Sequence, residues 1–344
     1  MRAQVLTGLN RVEFLERPMS KPERGELIIK VEFCGICGTD VHSYQNGLHI
    51  PVGTVMGHEC VGTVYETAGG ATSFKVGGRV VINPMPRCGK CHWCKTGQFS
   101  LCPHAASREI GITLENDGGF AEFVKIKYPE EMLHPIPDTL SFEDAALAEP
   151  LAVSLHGVRM SRLKIGDTAL VIGAGMIGLG VIEFLRIAGA GKIIVVEISE
   201  KKAEIARSLG ANSVINPALE GEGTLGKILE LTGGIGPGIV FECGGNPATF
   251  QCSIDYVRRG GQVVLIGFCE KDVPVNPLKI ILKEIEMKAA LGYYDEFPQV
   301  IGFLSEGKIH TRKYITGSIP LRDLDEGMKR IISTPDIIKL LVKP

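Results

Sequence analysis

Two groups of residues in the first half of the chain have the types and spacing of metal ligands. The first group is Cys88, Cys91, Cys94 and Cys102, in the pattern C-x2-C-x2-C-x7-C. Four thiolates this close can surround one ion tetrahedrally and leave it no open position, which is the arrangement of a structural zinc site. Ferredoxin iron–sulfur runs begin similarly but have a shorter last gap, and buried cysteines without a metal are the remaining alternative. We predict a structural zinc lobe over residues 84–103.

The second group combines Cys37, His58 and a carboxylate from Glu59 or Glu149. One thiolate, one imidazole and one carboxylate can hold a zinc ion with an open fourth position, as a catalytic zinc requires. Cys34 and Cys37 also form a C-x-x-C pair, although no thioredoxin-like context surrounds them. A lone His-Glu pair is often structural, so spacing alone leaves these alternatives open.

A glycine-rich turn in the second half has the features of a dinucleotide site. The run Gly173-Ala174-Gly175-Met176-Ile177-Gly178 follows a predicted strand and opens a predicted helix. Such glycines permit a tight turn and the close approach of a pyrophosphate to the helix N-terminus. Glu197 ends the next predicted strand, where a carboxylate accepts hydrogen bonds from ribose hydroxyls and repels a 2′-phosphate. The pattern predicts NAD rather than NADP.

The elements that position these residues differ between the two halves of the chain. From residue 169 onward, short apolar runs recur at about 21 to 25 residues, the length of a strand, a helix and two turns. Unalternated Val and Ile runs indicate strands buried on both faces, so we expect a six-stranded parallel, doubly wound α/β sheet. The predicted strands are 169–172, 193–196, 213–215, 239–241, 263–266 and 288–291.

Before that region, the β-like runs are more alternating and are broken by Gly and Pro, which predicts an antiparallel, partly barrel-like domain. These runs are 26–33, 60–66, 79–83 and 121–126. Ser141 to Asp144 resembles a capping box at the start of a helix containing Ala145 to Ala148. Pro150 suits the first turn of the next helix, which leaves Glu149 at a helix boundary. The predicted domains are 1–152 with 292–344, and 153–291.

The ordered motifs together carry a family resemblance. The runs GICGTDVH and GHE, the four-cysteine lobe, and then EPLAVSLH and GAGMIG follow one another along the chain. In this order they resemble the zinc-containing medium-chain dehydrogenases, which include alcohol, sorbitol, butanediol and threonine dehydrogenases, over nearly the whole chain. The resemblance implies a GroES-like catalytic domain, a Rossmann domain that binds NAD, one catalytic and one structural zinc ion per chain, and hydride transfer between a secondary alcohol and NAD.

The resemblance also implies roles for individual residues. Cys37 and His58 match the catalytic zinc ligands, and Glu149 takes the third place, as in the polyol branch of the superfamily. Glu59 either ligates in some states or supports the other ligands. The residues that match the remaining roles of the family are Thr39 and His42 for a proton relay, Gly173, Gly175, Met176, Ile177 and Gly178 for the pyrophosphate turn, and Glu197 and Lys202 for the ribose.

The substrate is predicted only by class. The segment from His42 to His58 lacks the tryptophan-bearing insertion of threonine dehydrogenases, and LAVSLH follows Glu149-Pro150 where those enzymes have a different run. We therefore expect a vicinal diol, a sugar alcohol or a sugar-alcohol phosphate. The alternatives are an L-threonine 3-dehydrogenase, a general alcohol dehydrogenase and, from another class, a non-enzymatic binding module. The physiological direction is left open.

Composition excludes several partners. A net charge of −2 does not supply the clustered Lys and Arg that nucleic acids need, so a nucleic-acid-binding zinc ribbon is disfavoured. Charges interrupt the N-terminal region, and the longest uncharged stretch, 168–182, is shorter than the roughly 20 residues that span a bilayer. We expect a cytoplasmic protein with a small-molecule alcohol as partner and no membrane contact. The resemblance implies a homo-oligomer, either a dimer or a tetramer.

Overall fold

The computed structural model of the chain describes residues 1–70 and 72–344. The strands within them are β1 Arg2–Gly8, β2 Arg11–Glu16, β3 Leu27–Gly35, β4 Glu59–Thr67, β5 Arg79–Ile82, β6 Phe123–Ile126, β7 Leu133–Pro135, β8 Thr168–Ile172, β9 Lys192–Val196, β10 Ser213–Ile215, β11 Ile239–Glu242, β12 Gln262–Leu265, β13 Glu286–Ala289, β14 Ile315–Pro320 and β15 Lys339–Lys343.

The α-helices are α1 Gly38–Asn46, α2 His92–Lys95, α3 Pro129–Met132, α4 Phe142–Ala145, α5 Ala148–Met160, α6 Met176–Ile187, α7 Glu200–Ser208, α8 Pro217–Glu220, α9 Gly223–Leu231, α10 Pro247–Tyr256, α11 Pro277–Lys283, α12 Phe297–Ser305 and α13 Leu324–Ser333. The chain forms two compact units, Met1–Glu149 with Tyr294–Pro344, and Pro150–Tyr293. In the described part of the chain, no helix has the length and apolarity needed to cross a membrane.

The first unit is built on a largely antiparallel sheet. Its strands are ordered β14-β15-β3-β4-β5-β7, and β6 pairs with β3 as well. In β3, the burial of Leu27, Ile29 and Val31 continues to Cys34, and these side chains join the main apolar core of this unit. The C-terminal strand β15 pairs with the end of β3, where Leu341 lies opposite Gly35. The sheet therefore brings the last residues of the chain to the segment that leads into Cys37.

The second unit contains a six-stranded parallel sheet in the order β10-β9-β8-β11-β12-β13. Successive strands are added on one side of β8 as far as β10, and on its other side from β11 onward. This is the doubly wound arrangement, and dinucleotides bind at the point where the order changes side. The predicted fold class, a doubly wound Rossmann domain with a β-rich GroES-like domain, is confirmed by these two sheets. The unalternated runs of β8 and β9 are buried, as expected for strands covered on both faces.

Two local predictions were wrong. The last strand of the parallel sheet lies at 286–289 rather than 288–291, and its side chains are mostly exposed because β13 is the edge strand. The helix that Ser141 caps ends at Ala145 and does not include Ala146 to Ala148. The hydroxyl of Ser141 accepts a hydrogen bond from the backbone N–H of Asp144, so the cap itself is present. A second helix, α5, then begins at Ala148 and places Glu149 in its first turn.

Candidate metal centres and cofactor turn

The four-cysteine lobe brings its sulfur atoms together. Cys88, Cys91, Cys94 and Cys102 each offer a sulfur within 4.8 Å of the others, and Cys88 Sγ lies 4.0 Å from Cys94 Sγ. A tetrahedral zinc thiolate site with bonds of about 2.3 Å requires sulfur separations of roughly 3.8 Å. The backbone N–H of Lys90, and more weakly that of Cys91, lowers the pKa of Cys88 to about 6. The lobe therefore has the sulfur spacing that suits a structural zinc ion, and its backbone stabilises the thiolate of Cys88, whereas burial raises the pKa of Cys94 to about 12.

The second centre forms where β3 and β4 run side by side. Cys37 follows β3 and caps the N-terminus of α1, while His58 directly precedes β4. Glu59 lies opposite Gly35 in the antiparallel register, and this pairing holds the two segments together. One ligand atom from each of Cys37, His58 and Glu59 lies within 4.8 Å of the others. A thiolate, an imidazole and a carboxylate at this separation match the donor set of a catalytic zinc ion.

The carboxylate of Asp40 lies close to both Cys37 and His58. Its Oδ2 accepts a hydrogen bond from the backbone N–H of Cys37 at 2.9 Å, and its Oδ1 lies 3.7 Å from Nδ1 of His58. Nδ1 therefore faces Asp40, which leaves Nε2 as the ring nitrogen for an ion. Burial lowers the pKa of His58, but the charges of Asp40 and Cys37 outweigh burial and raise that pKa well above its usual value. The centre thus carries an excess of negative charge that a cation would compensate.

The two predicted carboxylate ligands have different surroundings. Both oxygens of Glu59 accept hydrogen bonds from Nζ of Lys339 at 2.6 Å, and both side chains are almost fully buried. Glu149 is 8% exposed, and its carboxylate has no hydrogen bond or ion pair within residues 1–70 and 72–344. Burial raises the pKa of Glu149 to about 7, although the nearby His58 acts in the opposite direction. Glu59 is therefore neutralised by Lys339, whereas Glu149 has no such partner among the described residues and does not belong to the cluster of Cys37, His58 and Glu59.

The predicted relay residues lie on α1, directly after Cys37. The Thr39 hydroxyl oxygen is 3.8 Å from the sulfur of Cys37, so it lies beside the metal centre. His42 is three residues further along the same helix and is partly buried. Because residues three apart share a helix face, Thr39 and His42 lie on the same side of α1.

The glycine turn joins β8 to α6, with Gly175 at the N-cap and Met176 to Gly178 in the first turn of the helix. A β-carbon on Gly178 would collide with the carbonyl oxygen of Gly173, so only glycine permits this turn. Glu197 ends β9, and its Oε2 accepts a hydrogen bond from the backbone N–H of Ala174 at 2.6 Å. The structure therefore brings the acid and the glycine turn together.

Lys202, the other residue predicted to contact the ribose, lies in α7. Its backbone N–H donates to the hydroxyl of Ser199, which caps that helix. Its side chain is partly buried. The structure thus locates Lys202 in the first turn of α7, five residues after Glu197.

Three residues of the metal centre had not been identified from the sequence. Asp40 had a local signal, because an acid three residues after Cys37 can close a capping box with it. Lys339 lies in the apolar C-terminal strand, and nothing in its neighbourhood along the chain points to Glu59. Glu109, whose pKa responds to His58, lies in a loop without a recognisable motif. Contacts between distant segments of sequence explain the last two omissions.

Comparison with known proteins assigns the family. Residues 23–138 match the model of the alcohol dehydrogenase GroES-like domain, and residues 177–306 match that of the zinc-binding dehydrogenases. With these two matches, and with the ordered motifs, the chain belongs to the zinc-containing medium-chain dehydrogenases, in their polyol branch. It is therefore an oxidoreductase of the alcohol dehydrogenase type.

Individual relatives cover the whole chain. Sorbitol dehydrogenase of Bacillus subtilis is 31% identical over 350 residues, which span 100% of this chain and 97% of the relative. The crystal structure of 2R,3R-butanediol dehydrogenase from Bacillus subtilis is 36% identical, with a TM-score of 0.90 and coverage of 100% and 99%. A zinc-binding dehydrogenase from Sinorhizobium meliloti 1021, bound to NADP, is 30% identical with a TM-score of 0.90 and the same coverage.

Proposed function

We propose that this protein is an NAD-linked, zinc-dependent dehydrogenase that interconverts a secondary alcohol and a ketone on a vicinal diol, a sugar alcohol or a sugar-alcohol phosphate. The observation that carries the proposal is the cluster of Cys37, His58 and Glu59, whose donor atoms lie within 4.8 Å of one another. The similarity to sorbitol and butanediol dehydrogenases supports the class of substrate.

In this proposal Cys37, His58 and Glu149 hold the catalytic zinc ion, and the four cysteines hold the structural one. When bound, a zinc ion acts as a Lewis acid towards a substrate hydroxyl and lowers its pKa. Asp40 restrains Cys37 through its backbone N–H, and its Oδ1 places a negative charge 3.7 Å from Nδ1 of His58. Glu59, whose carboxylate is paired with Lys339, is the alternative third ligand, because its oxygen lies within 4.8 Å of the donor atoms of Cys37 and His58.

The proton that leaves the substrate needs a path to solvent. Thr39 is suited to the first step, since its hydroxyl lies beside Cys37 and can donate one hydrogen bond while it accepts another. His42, on the same face of α1, is suited to take the proton onward, because an imidazole exchanges protons near neutral pH. These roles stay predictions until they are tested in variants.

The cofactor assignment to NAD depends on Glu197. Its Oε1 accepts hydrogen bonds from the backbone N–H groups of Ile198 and Ser199, and with Ala174 on Oε2 these contacts keep the carboxylate beside the glycine turn. A carboxylate held there would repel a 2′-phosphate. The Sinorhizobium meliloti relative binds NADP, so the choice must be measured for this chain.

The main test is a turnover assay at 340 nm with NAD or NADP and a panel of diols, polyols, L-threonine and simple secondary alcohols. It is combined with metal analysis of the parent protein, Cys37→Ser and Glu149→Ala, with Cys269→Ser as a control outside both centres. We expect about two zinc ions per chain in the parent and about one in Cys37→Ser, with turnover reduced on the order of 1000-fold or more.

Turnover of L-threonine or of simple alcohols in preference to diols would favour the corresponding alternative dehydrogenase. Full activity in the parent protein after both zinc ions are removed would contradict the proposal. The predicted homo-oligomer is measured separately by light scattering on the same samples.

A further inference from the structure

Glu242 is a buried acid at the carboxyl end of β11, and the proposed mechanism does not use it. It is 2% exposed and lies opposite Ile172, the last residue of β8, in the parallel register. The glycine turn begins at Gly173, the residue that follows β8. Glu242 therefore lies at the edge of the sheet where the order of the strands changes side, next to the turn assigned to the pyrophosphate.

The side chain of Glu242 shapes the loop that follows its own strand. Its Oε1 accepts hydrogen bonds from the backbone N–H groups of Gly244 and Gly245, both at 2.9 Å. Successive backbone N–H groups that point to one place form an anion-binding concavity, and here the carboxylate fills it. Gly245 has a φ of 64°, in the left-handed region that favours glycine. The conformation of residues 243–245 therefore depends on the side chain of Glu242.

The same loop packs directly against the glycine turn. A β-carbon on Gly173 would lie 3.1 Å from both N and Cα of Gly244. One on Gly178 would lie 3.5 Å from Cβ of Cys243. The backbone N–H of Cys243 also donates to the carbonyl of Ile172, directly before the turn, at 2.9 Å. Because the two segments are in close contact, a displacement of residues 243–244 would be transmitted to the turn.

Two acids thus flank the glycine turn, because β9 and β11 are the two neighbours of β8 in the sheet. Glu197 directly follows β9 and binds the turn itself, through the backbone N–H of Ala174. Glu242 acts on the turn indirectly, through the loop that packs on Gly173. Glu197 is the proposed determinant of NAD over NADP, whereas an effect through the turn concerns the pyrophosphate that both cofactors share.

We propose that Glu242 is a positioning residue of the dinucleotide site, whose carboxylate holds residues 243–245 so that the glycine turn keeps the shape that receives a pyrophosphate. This inference rests on the proposed function and deepens it, because it adds a determinant of cofactor affinity that is independent of the choice between NAD and NADP. Without the carboxylate, the loop must be ordered when the cofactor binds. Ordering the backbone of one residue reduces an affinity by about 10-fold.

The test measures dissociation constants of NAD, NADP and ADP-ribose by isothermal titration calorimetry, so it does not depend on turnover. Glu242→Gln keeps an acceptor oxygen at the same reach without the charge, Glu242→Asp keeps the charge on a shorter side chain, and Glu242→Ala loses both. The matched control is Glu230→Ala, which removes an exposed acid from α9 of the same unit. Zinc content and thermal unfolding are recorded for each protein, and Glu242→Asp carries the test if Glu242→Ala does not fold.

We expect Glu242→Ala and Glu242→Asp to bind all three ligands about 10-fold more weakly than the parent, with the ratio between NAD and NADP unchanged. Glu242→Gln should stay within about threefold of the parent, because its amide oxygen can accept the same two hydrogen bonds. Glu230→Ala should bind as the parent does. The titrations are made well below the unfolding temperature of the least stable variant, where a general loss of stability would leave the dissociation constants unchanged.

Equal affinities in the parent and Glu242→Ala would overturn the inference. A loss in Glu242→Gln as large as that in Glu242→Ala would also overturn it, because charge and not the hydrogen bonds would then be responsible. A loss for NAD and NADP without a loss for ADP-ribose would move the effect from the glycine turn to the nicotinamide. The proposed function would survive each of these results. If the parent bound neither NAD nor NADP, the proposed function would fail, and this inference with it.

Discussion

Replacing Lys339 by methionine tests how much the buried ion pair between Lys339 and Glu59 contributes to the stability of the fold. The side chains are 3% and 0% exposed, and Nζ lies 2.6 Å from both carboxylate oxygens. At this distance, and at an effective dielectric constant near 20, the attraction is on the order of 6 kcal/mol before desolvation is subtracted. Lys339→Met keeps an unbranched apolar side chain that is one atom shorter, and it leaves the carboxylate buried without its ion pair. We expect the free energy of unfolding to fall by about 3–5 kcal/mol.

The assay is urea unfolding followed by circular dichroism, with Lys343→Met as control. Lys343 is on the same strand, but it is exposed and lies over the ring of Phe33, so its replacement should cost at most about 1 kcal/mol. The double variant Glu59→Gln with Lys339→Met removes both charges and should recover about 2 kcal/mol relative to Lys339→Met alone. If Lys339→Met is no less stable than Lys343→Met, the buried pair does not have the role assigned to it.

Three further predictions concern the lobe, the cofactor and pH. Cys91→Ser should lose one zinc ion and shift the emission of Trp93, the single tryptophan, to longer wavelength, because Trp93 lies in the lobe; an unchanged spectrum would contradict a structural zinc there. Glu197→Ala should lower the ratio of kcat/KM for NAD to that for NADP by about 10- to 100-fold, and an unchanged ratio would remove Glu197 as the determinant. Burial lowers the pKa of His134 to about 4, with the charge of Arg87 adding to this. Because the unfolded chain binds this proton below about pH 6.5, stability is complete above that pH and is lost as the pH falls from about 6.5 to 4, by about 2 kcal/mol at pH 5. His134→Phe should show a smaller loss of stability between pH 7 and pH 5 in urea unfolding, and an equal loss would refute this cause.

Local patterns were sufficient for the fold class. The parallel strands were recognisable because strands covered on both faces are runs of Val and Ile, as in β8 and β9. The same rule was wrong for β13, because an edge strand has only one neighbour and its side chains are mostly exposed. An edge and an interior strand are distinguished by topology, which no window of a few residues contains.

Parts of the site could also be predicted from residues that lie close together along the chain. The four cysteines lie within 15 residues of one another, and the glycine turn is one loop, so their chemistry follows from spacing alone. The order of the motifs then related Cys37, His58 and Glu149 to a family, although their separation in sequence did not show that they meet. The sequence leaves Glu59 and Glu149 as alternatives, because spacing along the chain shows neither the distance of each carboxylate from Cys37 and His58 nor its other partners.

The sequence by itself determined the two-part α/β and β-rich architecture, the metal-binding character of the cysteines and the dehydrogenase class. Only the tertiary structure decided that Lys339 neutralises Glu59 and that Oδ1 of Asp40 lies 3.7 Å from Nδ1 of His58. Periodicity and spacing report interactions between residues close along the chain. The charge balance of a buried centre depends on segments as far apart as β4 and β15, which meet only when the sheet forms.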